Sequence, residues 1–87
     1  MMNLKLLLFA NLREKFGFSQ KDINLPESID SPESFLSLMA CESGGDWKEL
    51  LKDQGLYRVA INQNLSSWTD ALKNGDELAI FPPITGG

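Results

Sequence analysis

The sequence predicts an α+β fold, a mixed sheet of about five strands with one main helix across one face. Three observations predict it. Residues 3–10 alternate between two faces, as a half-buried strand does. Ser31-Pro32-Glu33 is a strong helix start, with an N-cap serine, a proline at the first helical position and an acid in the first turn. Strand-like segments flank this helix in the order strand, strand, helix, strand, short strand, strand, within a length suited to one domain.

The first strand is predicted between residues 3 and 10. Leu4, Leu6 and Leu8 share one face, which a single-layer sheet would bury under the helix. Phe9 falls on the opposite face. From the residues alone, Phe9 has two interpretations: it belongs to a second apolar cluster under a loop, or it docks a partner.

A short helical turn and a second strand follow. Asn11 is predicted to cap the turn, and Gly17 to end it. Arg13 lies on this turn. Most surface arginines are only solvated, so from the residues alone a solvated side chain is favoured for Arg13. The second strand is predicted over residues 18–25, where Pro26 ends it, and would form an edge hairpin with the first.

The main helix is predicted to run from Ser31 to the glycine pair at 44–45. A D-x-x-E pattern at residues 46–49 resembles a capping box and predicts a short second helix that ends at Gly55. Cys41 has no histidine or basic residue near it to activate a thiol, so a catalytic role is not expected. Core packing is expected for the whole apolar stripe of the main helix: Phe35, Leu38, Met39 and Cys41.

The last third of the chain predicts three strands. Residues 56–61, rich in Val, Ile and Tyr, form the third strand, and a turn over residues 62–64 leads to a short strand at Leu65-Ser66. Trp68 and Leu72 are expected to close the core. The Asn74-Gly75 turn introduces a last strand over residues 77–81.

This element order predicts a β-grasp, or ubiquitin-like, arrangement. The first and last strands would lie parallel at the sheet centre, which makes Phe9 and Phe81 neighbours on the face opposite the helix. Two aromatic residues on an uncovered sheet face are a candidate partner patch. We expect the domain to span residues 1–81 and residues 82–87 to form an extended tail.

The tail suggests where the chemistry lies. Pro82 cannot donate to a sheet, so the last strand should end at Phe81, and Pro82 and Pro83 should keep the exit extended. Gly86 and Gly87 have no side chains, so their backbone could enter a narrow channel. We hypothesise that the terminal carboxylate of Gly87 is the working group.

Composition excludes several functions. The 87 residues contain no histidine and one cysteine, which leaves no His-based acid–base pair and no metal site of Cys and His. A net charge of −4 argues against nucleic acid, and no apolar run is long enough for a membrane span. The start lacks the features of a secretory leader, so we expect a cytoplasmic protein.

Four segments have a distinctive combination of motifs. The opening strand ends in L-F-A and is followed by L-R-E; V-A-I-N-Q covers residues 59–63; N-G-D-E-L covers residues 74–78; and F-P-P-I-T-G-G covers residues 81–87. Gly-Gly alone is a weak signal, shared by ubiquitin-like proteins generally. Together with G-D-E, an apolar strand and F-P-P, it resembles the small, sulfur-carrier subunit of molybdopterin synthase (the MoaD family) along the whole chain.

The resemblance implies a mechanism. An adenylating enzyme similar to ubiquitin-activating enzymes would use ATP to adenylate the Gly87 carboxylate, and a sulfur donor would convert it to a thiocarboxylate, leaving a 1-thioglycine. The carrier would insert its tail into the large synthase subunit and give sulfur to cyclic pyranopterin monophosphate in molybdenum cofactor biosynthesis. The chain would thus be a non-catalytic sulfur donor with no bound cofactor, in a heterotetramer whose active sites lie on the large subunits.

The resemblance also assigns docking residues. By matching position, Phe9, Arg13, Leu65 and Phe81 correspond to family residues that contact the activating enzyme or the large subunit. This favours docking for Phe9, Phe81 and Arg13, with the prolines at 82 and 83 as the approach to the tip. For Leu65 a core position in the short strand stays open.

Three other interpretations compete. A thiamine-pathway sulfur carrier (ThiS) shares the fold and the Gly-Gly end, but it is usually shorter and lacks the F-P-P approach. A protein modifier would instead join Gly87 to lysines of its targets by an isopeptide bond. In the plainest interpretation, the tail is a frayed end on a small binding domain.

Overall fold

The structure is a computed structural model that describes residues 2–82. Its helices and strands follow the predicted order. They are strand β1 (Met2–Leu8), helix α1 (Asn11–Phe16), strand β2 (Gln20–Leu25), helix α2 (Pro32–Ser43), helix α3 (Gly45–Lys52), a 3₁₀ turn (Gln54–Leu56), and strands β3 (Arg58–Ile61), β4 (Asn64–Ser66) and β5 (Glu77–Phe81).

The five strands form one mixed sheet in the order β2-β1-β5-β3-β4. β1 and β5 pair in parallel at its centre, and the other three pairs are antiparallel. The predicted fold class is therefore confirmed, including the central position of the first and last strands. This pairing brings the end of β1 beside the end of β5.

The core lies between one face of the sheet and helices α2 and α3. Leu4, Leu6 and Leu8 are at most 1% exposed, as the alternation predicted. They meet Phe35 of α2 and Trp47 of α3 in one buried cluster. The rings of Phe35 and Trp47 pack edge to face, with centroids 5.7 Å apart. In the described part of the chain, the opposite face of the sheet has no helical layer.

The start of α2 is as predicted. The Ser31 hydroxyl accepts a hydrogen bond from the Ser34 amide at 3.1 Å, and the Ser34 hydroxyl accepts one from the Ser31 amide at 3.0 Å. This reciprocal pair satisfies two amides that the helix itself leaves unpaired. The expected core position of Cys41 is wrong, because this residue is exposed. Six positions after Phe35, it has turned about 120° away from it.

Two predicted caps are wrong. Asn11 is the first residue of α1, and the N-cap position belongs to Ala10, without a side-chain hydrogen bond. In α3 the N-cap is Gly44, with a positive φ of 61°, and not Asp46 as the pattern predicts. The helix begins at Gly45, so Asp46 lies inside its first turn. The D-x-x-E pattern is therefore not a capping box.

Several strand bounds also differ from the prediction. β1 spans Met2–Leu8, so it ends two residues earlier than expected, and β4 begins one residue earlier, at Asn64. β2 begins at Gln20 and β3 at Arg58, two residues later than expected in each case. The segment before β3 is taken by the 3₁₀ turn, which leaves Leu56 60% exposed. The predicted turn between β3 and β4 is present, since Asn62 and Gln63 both have positive φ, as two-residue hairpin turns require. The predicted closing residues are present as well, with Leu72 buried and Trp68 half-buried.

Candidate functional site

The candidate site is the uncovered side of the sheet, which we call the open face. Residues paired across neighbouring strands direct their side chains to the same side. One such row crosses four strands, from Leu7 in β1 through Ala79 and Ala60 to Leu65 in β4. The open face therefore carries a row of apolar residues, completed by the two aromatic residues at its end: Leu7, Phe9, Ala60, Leu65, Ala79 and Phe81.

Phe9 and Phe81 stack on each other. Their ring centroids lie 4.6 Å apart and their planes are inclined by 14°. The last pair of the parallel ladder is Leu8 with Ile80, so each phenylalanine is the next residue on its own chain segment. Phe9 is 39% exposed, which agrees with an interaction surface and not with a cluster hidden under a loop. Their predicted contact with a partner stays a prediction.

Leu65 lies on the open face and is 77% exposed. It belongs to β4, an edge strand, and pairs with Ala60. Among residues 2–82 no helix covers this side of the sheet, and at this exposure the core alternative for Leu65 is wrong. An exposed leucine beside other apolar residues extends the surface that a partner could cover.

The middle of the open face is built from small side chains. Ala60 is 7% exposed and Ala79 is 4% exposed, although no helix of residues 2–82 covers them. Larger neighbours flank them on both sides, with Leu7 on β1 and Leu65 on β4. The alanines therefore contribute little accessible surface, and the apolar surface that a partner could touch lies mainly at Phe9 and Leu65.

Arg13 lies on α1, one turn after Phe9. The chain turns at Ala10, whose φ of 54° and ψ of −132° are strained for a residue with a side chain. The buried side chain of Leu12 anchors α1 to the core, while Arg13 stays exposed. The Arg13 carbonyl accepts a hydrogen bond from the Gly17 amide at 2.9 Å, and Gly17 ends the helix in the left-handed region, as predicted.

An ion pair ties α1 to α3. The Lys15 ammonium lies 3.4 Å from a carboxylate oxygen of Glu49. The hydrogen bond to Glu49 raises the pKa of Lys15 above its ordinary value. The pair thus connects the helix that carries Arg13 to α3, against which α1 also packs through the rings of Phe16 and Trp47, with centroids 4.4 Å apart.

β5 ends at Phe81, and the half-buried Pro82 follows it. The predicted site residues Pro83, Gly86 and Gly87 lie outside the described residues. The root of the predicted tail is thus placed directly beside the Phe9–Phe81 pair.

A polar network at the other end of β5 was not predicted as one. The Asn62 side chain accepts from the Glu77 amide at 3.0 Å and donates to the Asp76 carboxylate at 2.9 Å. Asp76 also accepts from the Lys73 amide at 2.8 Å. The N-Q and G-D-E motifs are the sequence signal of this network, which ties the β3–β4 turn to the start of β5.

Within residues 2–82, no helix is both long enough and apolar enough to cross a membrane.

Solved structures show which class of protein this arrangement defines. A putative molybdopterin converting factor subunit 1 from Pyrococcus furiosus superposes with a TM-score of 0.72 at 23% identity, covering 97% of this chain and 100% of that one. The small archaeal modifier protein 1 from Methanosarcina acetivorans superposes with a TM-score of 0.65 at 28% identity, and the match covers 100% of this chain and 98% of that one. The chain is thus a ubiquitin-like β-grasp protein.

Sequence relatives narrow the class. The ThiS family model matches residues 6–87. The molybdopterin synthase sulfur carrier subunit of Haemophilus influenzae is 40% identical over 84 residues, which cover 97% of this chain and 99% of the relative. The corresponding subunit of Escherichia coli is 38% identical over 86 residues, which cover 97% of this chain and 99% of the relative. The chain belongs to the ThiS family, in the branch of the molybdopterin synthase sulfur carrier subunits, and the resemblance seen in its motifs is confirmed.

Proposed function

We propose that this chain is the sulfur carrier subunit of a molybdopterin synthase. The observation that carries the proposal is the position of the stacked Phe9–Phe81 pair. This pair lies at the point where β5 ends and residues 82–87 begin, and its position there supports a docking role. A protein that delivers its own carboxy-terminal group needs a docking surface beside the root of its tail. The curated relatives at 40% and 38% identity carry this function in their names.

The chemistry takes place at the Gly87 carboxylate. A carboxylate is a poor acyl electrophile, so an adenylating partner first joins one of its oxygens to the α-phosphate of ATP and releases pyrophosphate. A sulfur donor then displaces AMP from the acyl carbon and leaves a thiocarboxylate. The sulfur stays nucleophilic without a cysteine, and the carrier itself needs no general base, which fits a chain without histidine.

Delivery depends on reach and docking. From Phe81 to Gly87 the backbone extends at most about 20 Å. Docking of the open face on the large subunit would bring the tail root to the mouth of a channel, and the glycines at 86 and 87 would pass inside. The large subunit holds the active site, where cyclic pyranopterin monophosphate receives two sulfur atoms in successive transfers. The assembly is a heterotetramer, with one carrier at each end of a large-subunit dimer in the cytoplasm.

The docking roles follow from the same placement. Phe9 and Phe81 form the centre of the contact, beside the tail, and Leu65 lies at its far edge. Arg13, on α1, contributes a charge at the border of the contact. Pro82 keeps the exit from β5 extended, with Pro83 after it. The activating enzyme uses the same surface, since it must reach the same tail.

Reconstitution tests this function. Incubation with ATP, the adenylating enzyme and a sulfide source should raise the intact mass by the difference between one sulfur and one oxygen. The charged protein, mixed with the large subunit and cyclic pyranopterin monophosphate, should yield molybdopterin. A variant without Gly87 should yield none. Normal molybdopterin formation by that variant would contradict the proposal.

A second candidate is a protein modifier. The likeness to the Methanosarcina acetivorans modifier protein favours it, because that structure is 28% identical and is covered almost completely. The two functions share the activation step and differ in the acceptor, which is a lysine amine for a modifier. Lysine conjugates in cells, together with no molybdopterin in the reconstitution, would favour the modifier. Transfer of sulfur to a thiamine precursor instead would favour the thiamine-pathway carrier.

A further inference from the structure

We infer that Arg58 is a specificity-determining residue of the docking face, and that it selects partners with a carboxylate opposite the root of the tail. The inference rests on the proposed function and adds a residue and a partner chemistry to it. Arg58 is the first residue of β3 and is exposed. It lies outside the motifs that carry the family resemblance.

The register places Arg58 on the open face. In the antiparallel β3–β5 ladder it is the direct partner of Phe81. Side chains of directly opposed residues point to the same side, with Cβ atoms about 4.5–5.5 Å apart. A row therefore runs across the end of the sheet from Phe9 through Phe81 to Arg58. The Arg58 side chain therefore leaves the sheet next to Phe81, beside the apolar residues that a docked partner would cover.

The charge of Arg58 is available to a partner. Its hydrogen bond within the described chain runs from Nη1 to the carbonyl of the neighbouring Tyr57, at 3.5 Å. Among residues 2–82, the ion pair within 4 Å joins Lys15 to Glu49, and Arg58 has no carboxylate partner there. A guanidinium stays charged at all relevant pH values and offers up to five donors that match a carboxylate.

The open face is electrically uneven along the strands. At the end away from the tail, the cross-strand neighbours of Lys5 are Asp22 and Glu77, so this row carries two acids and one base. At the tail end, Arg58 borders the aromatic pair on the β3 side, and Arg13 follows Phe9 on α1. A chain with a net charge of −4 thus keeps two arginines where the tail begins.

This distribution favours one docking orientation. A partner with carboxylates near its channel entrance would be attracted to the tail end and repelled from the acidic end. Charges at the border of an interface act mainly on the association rate and on its salt dependence, whereas the apolar centre sets the lifetime of the complex. Arg58 should therefore speed productive docking and contribute less to the dissociation rate.

Charge variants test the inference. Arg58→Gln and Arg58→Glu would be compared with Lys48→Glu, which makes the same charge change at an exposed position of α3 in the helical layer. Association with the large subunit would be followed by stopped-flow at low and high salt. Arg58→Glu should slow association roughly tenfold at low salt and flatten its salt dependence, with Arg58→Gln between it and the unaltered protein. Lys48→Glu should stay within about twofold.

The outcomes separate this inference from the proposed function. Equal effects of Arg58→Glu and Lys48→Glu, or faster association of Arg58→Glu, would overturn the inference while the unaltered protein still formed the complex. No complex between the unaltered protein and the large subunit would overturn the proposed function, and the inference with it. Thermal unfolding of each variant checks the fold, and Arg58→Gln serves as the milder change.

Discussion

The ring of Phe9 stacks on the ring of Phe81, with centroids 4.6 Å apart, because the parallel pairing of β1 and β5 ends one residue earlier on both strands. The stack therefore depends on the sheet topology and on the register of its two central strands. It also fixes the position of the residue from which the tail departs. In the proposed function, docking and delivery would therefore meet at one place in the sheet.

Phe81→Ala should weaken docking more than it weakens the fold. Phe81 is half-buried and stacks on Phe9, and a stacked pair contributes about 0.5–1.5 kcal/mol beyond its buried area. We expect the free energy of unfolding to fall by about 1–2 kcal/mol. Affinity for the large subunit should fall by at least roughly tenfold, because a central aromatic anchor is lost.

The matched control is Leu78→Ala, three residues earlier on the same strand. Leu78 faces the core and is 0% exposed. This variant should lose about 2–5 kcal/mol of stability, measured by urea unfolding. A loss in Phe81→Ala as large as that in Leu78→Ala would contradict the assignment of Phe81 to the docking face.

Two exposed leucines give a direct comparison. Leu65 is 77% exposed on the open face, and Leu56 is 60% exposed on the 3₁₀ turn before β3. Leu65→Asp and Leu56→Asp should each change the free energy of unfolding by only about 0.5 kcal/mol, since both side chains face solvent. Calorimetric titration with the large subunit should show a strong loss of affinity for Leu65→Asp alone. Equal affinities would exclude Leu65 from the contact.

The sheet and its two faces could be predicted because strand alternation and the order of the elements are both visible in the sequence. The alternation of Leu4, Leu6 and Leu8 specifies which side of β1 is buried, and the order of the elements specifies where β5 lies. From these two facts the neighbourhood of Phe9 and Phe81 follows without further information. The core side of the last strand follows in the same way from Leu78 and Ile80.

Other features depend on contacts between distant residues and could not be predicted. Cys41 continues an apolar pattern, but the helical turn carries it beyond the buried arc of α2. The open position of Leu65 requires knowledge of the partner strand, which makes β4 an edge. Arg58 is one of several surface cations in the sequence, and only the register opposite Phe81 makes it a candidate.

The Lys15–Glu49 ion pair should give a small alkaline dependence of stability. The folded state raises the pKa of Lys15 above its ordinary value of 10.5, so the contribution is fully present below that value and is lost as the pH rises through the folded pKa. Lys15→Gln should be slightly less stable than the unaltered protein at neutral pH, and the difference should vanish above that pKa. A difference that stays constant through the alkaline range, measured by urea unfolding, would contradict this prediction.

Asn62 should be important for stability although it is exposed. Its side chain bonds the Glu77 amide and the Asp76 carboxylate, and its backbone holds a positive φ of 51°. Asn62→Ala loses both bonds and is strained at this φ, whereas Asn62→Gly loses the bonds and adopts the turn without strain. We expect Asn62→Ala to cost about 2–3 kcal/mol in urea unfolding and Asn62→Gly about 1 kcal/mol less. Equal losses in the two variants would show that the hydrogen bonds alone matter; no loss in either would show that the network leaves β5 unaffected.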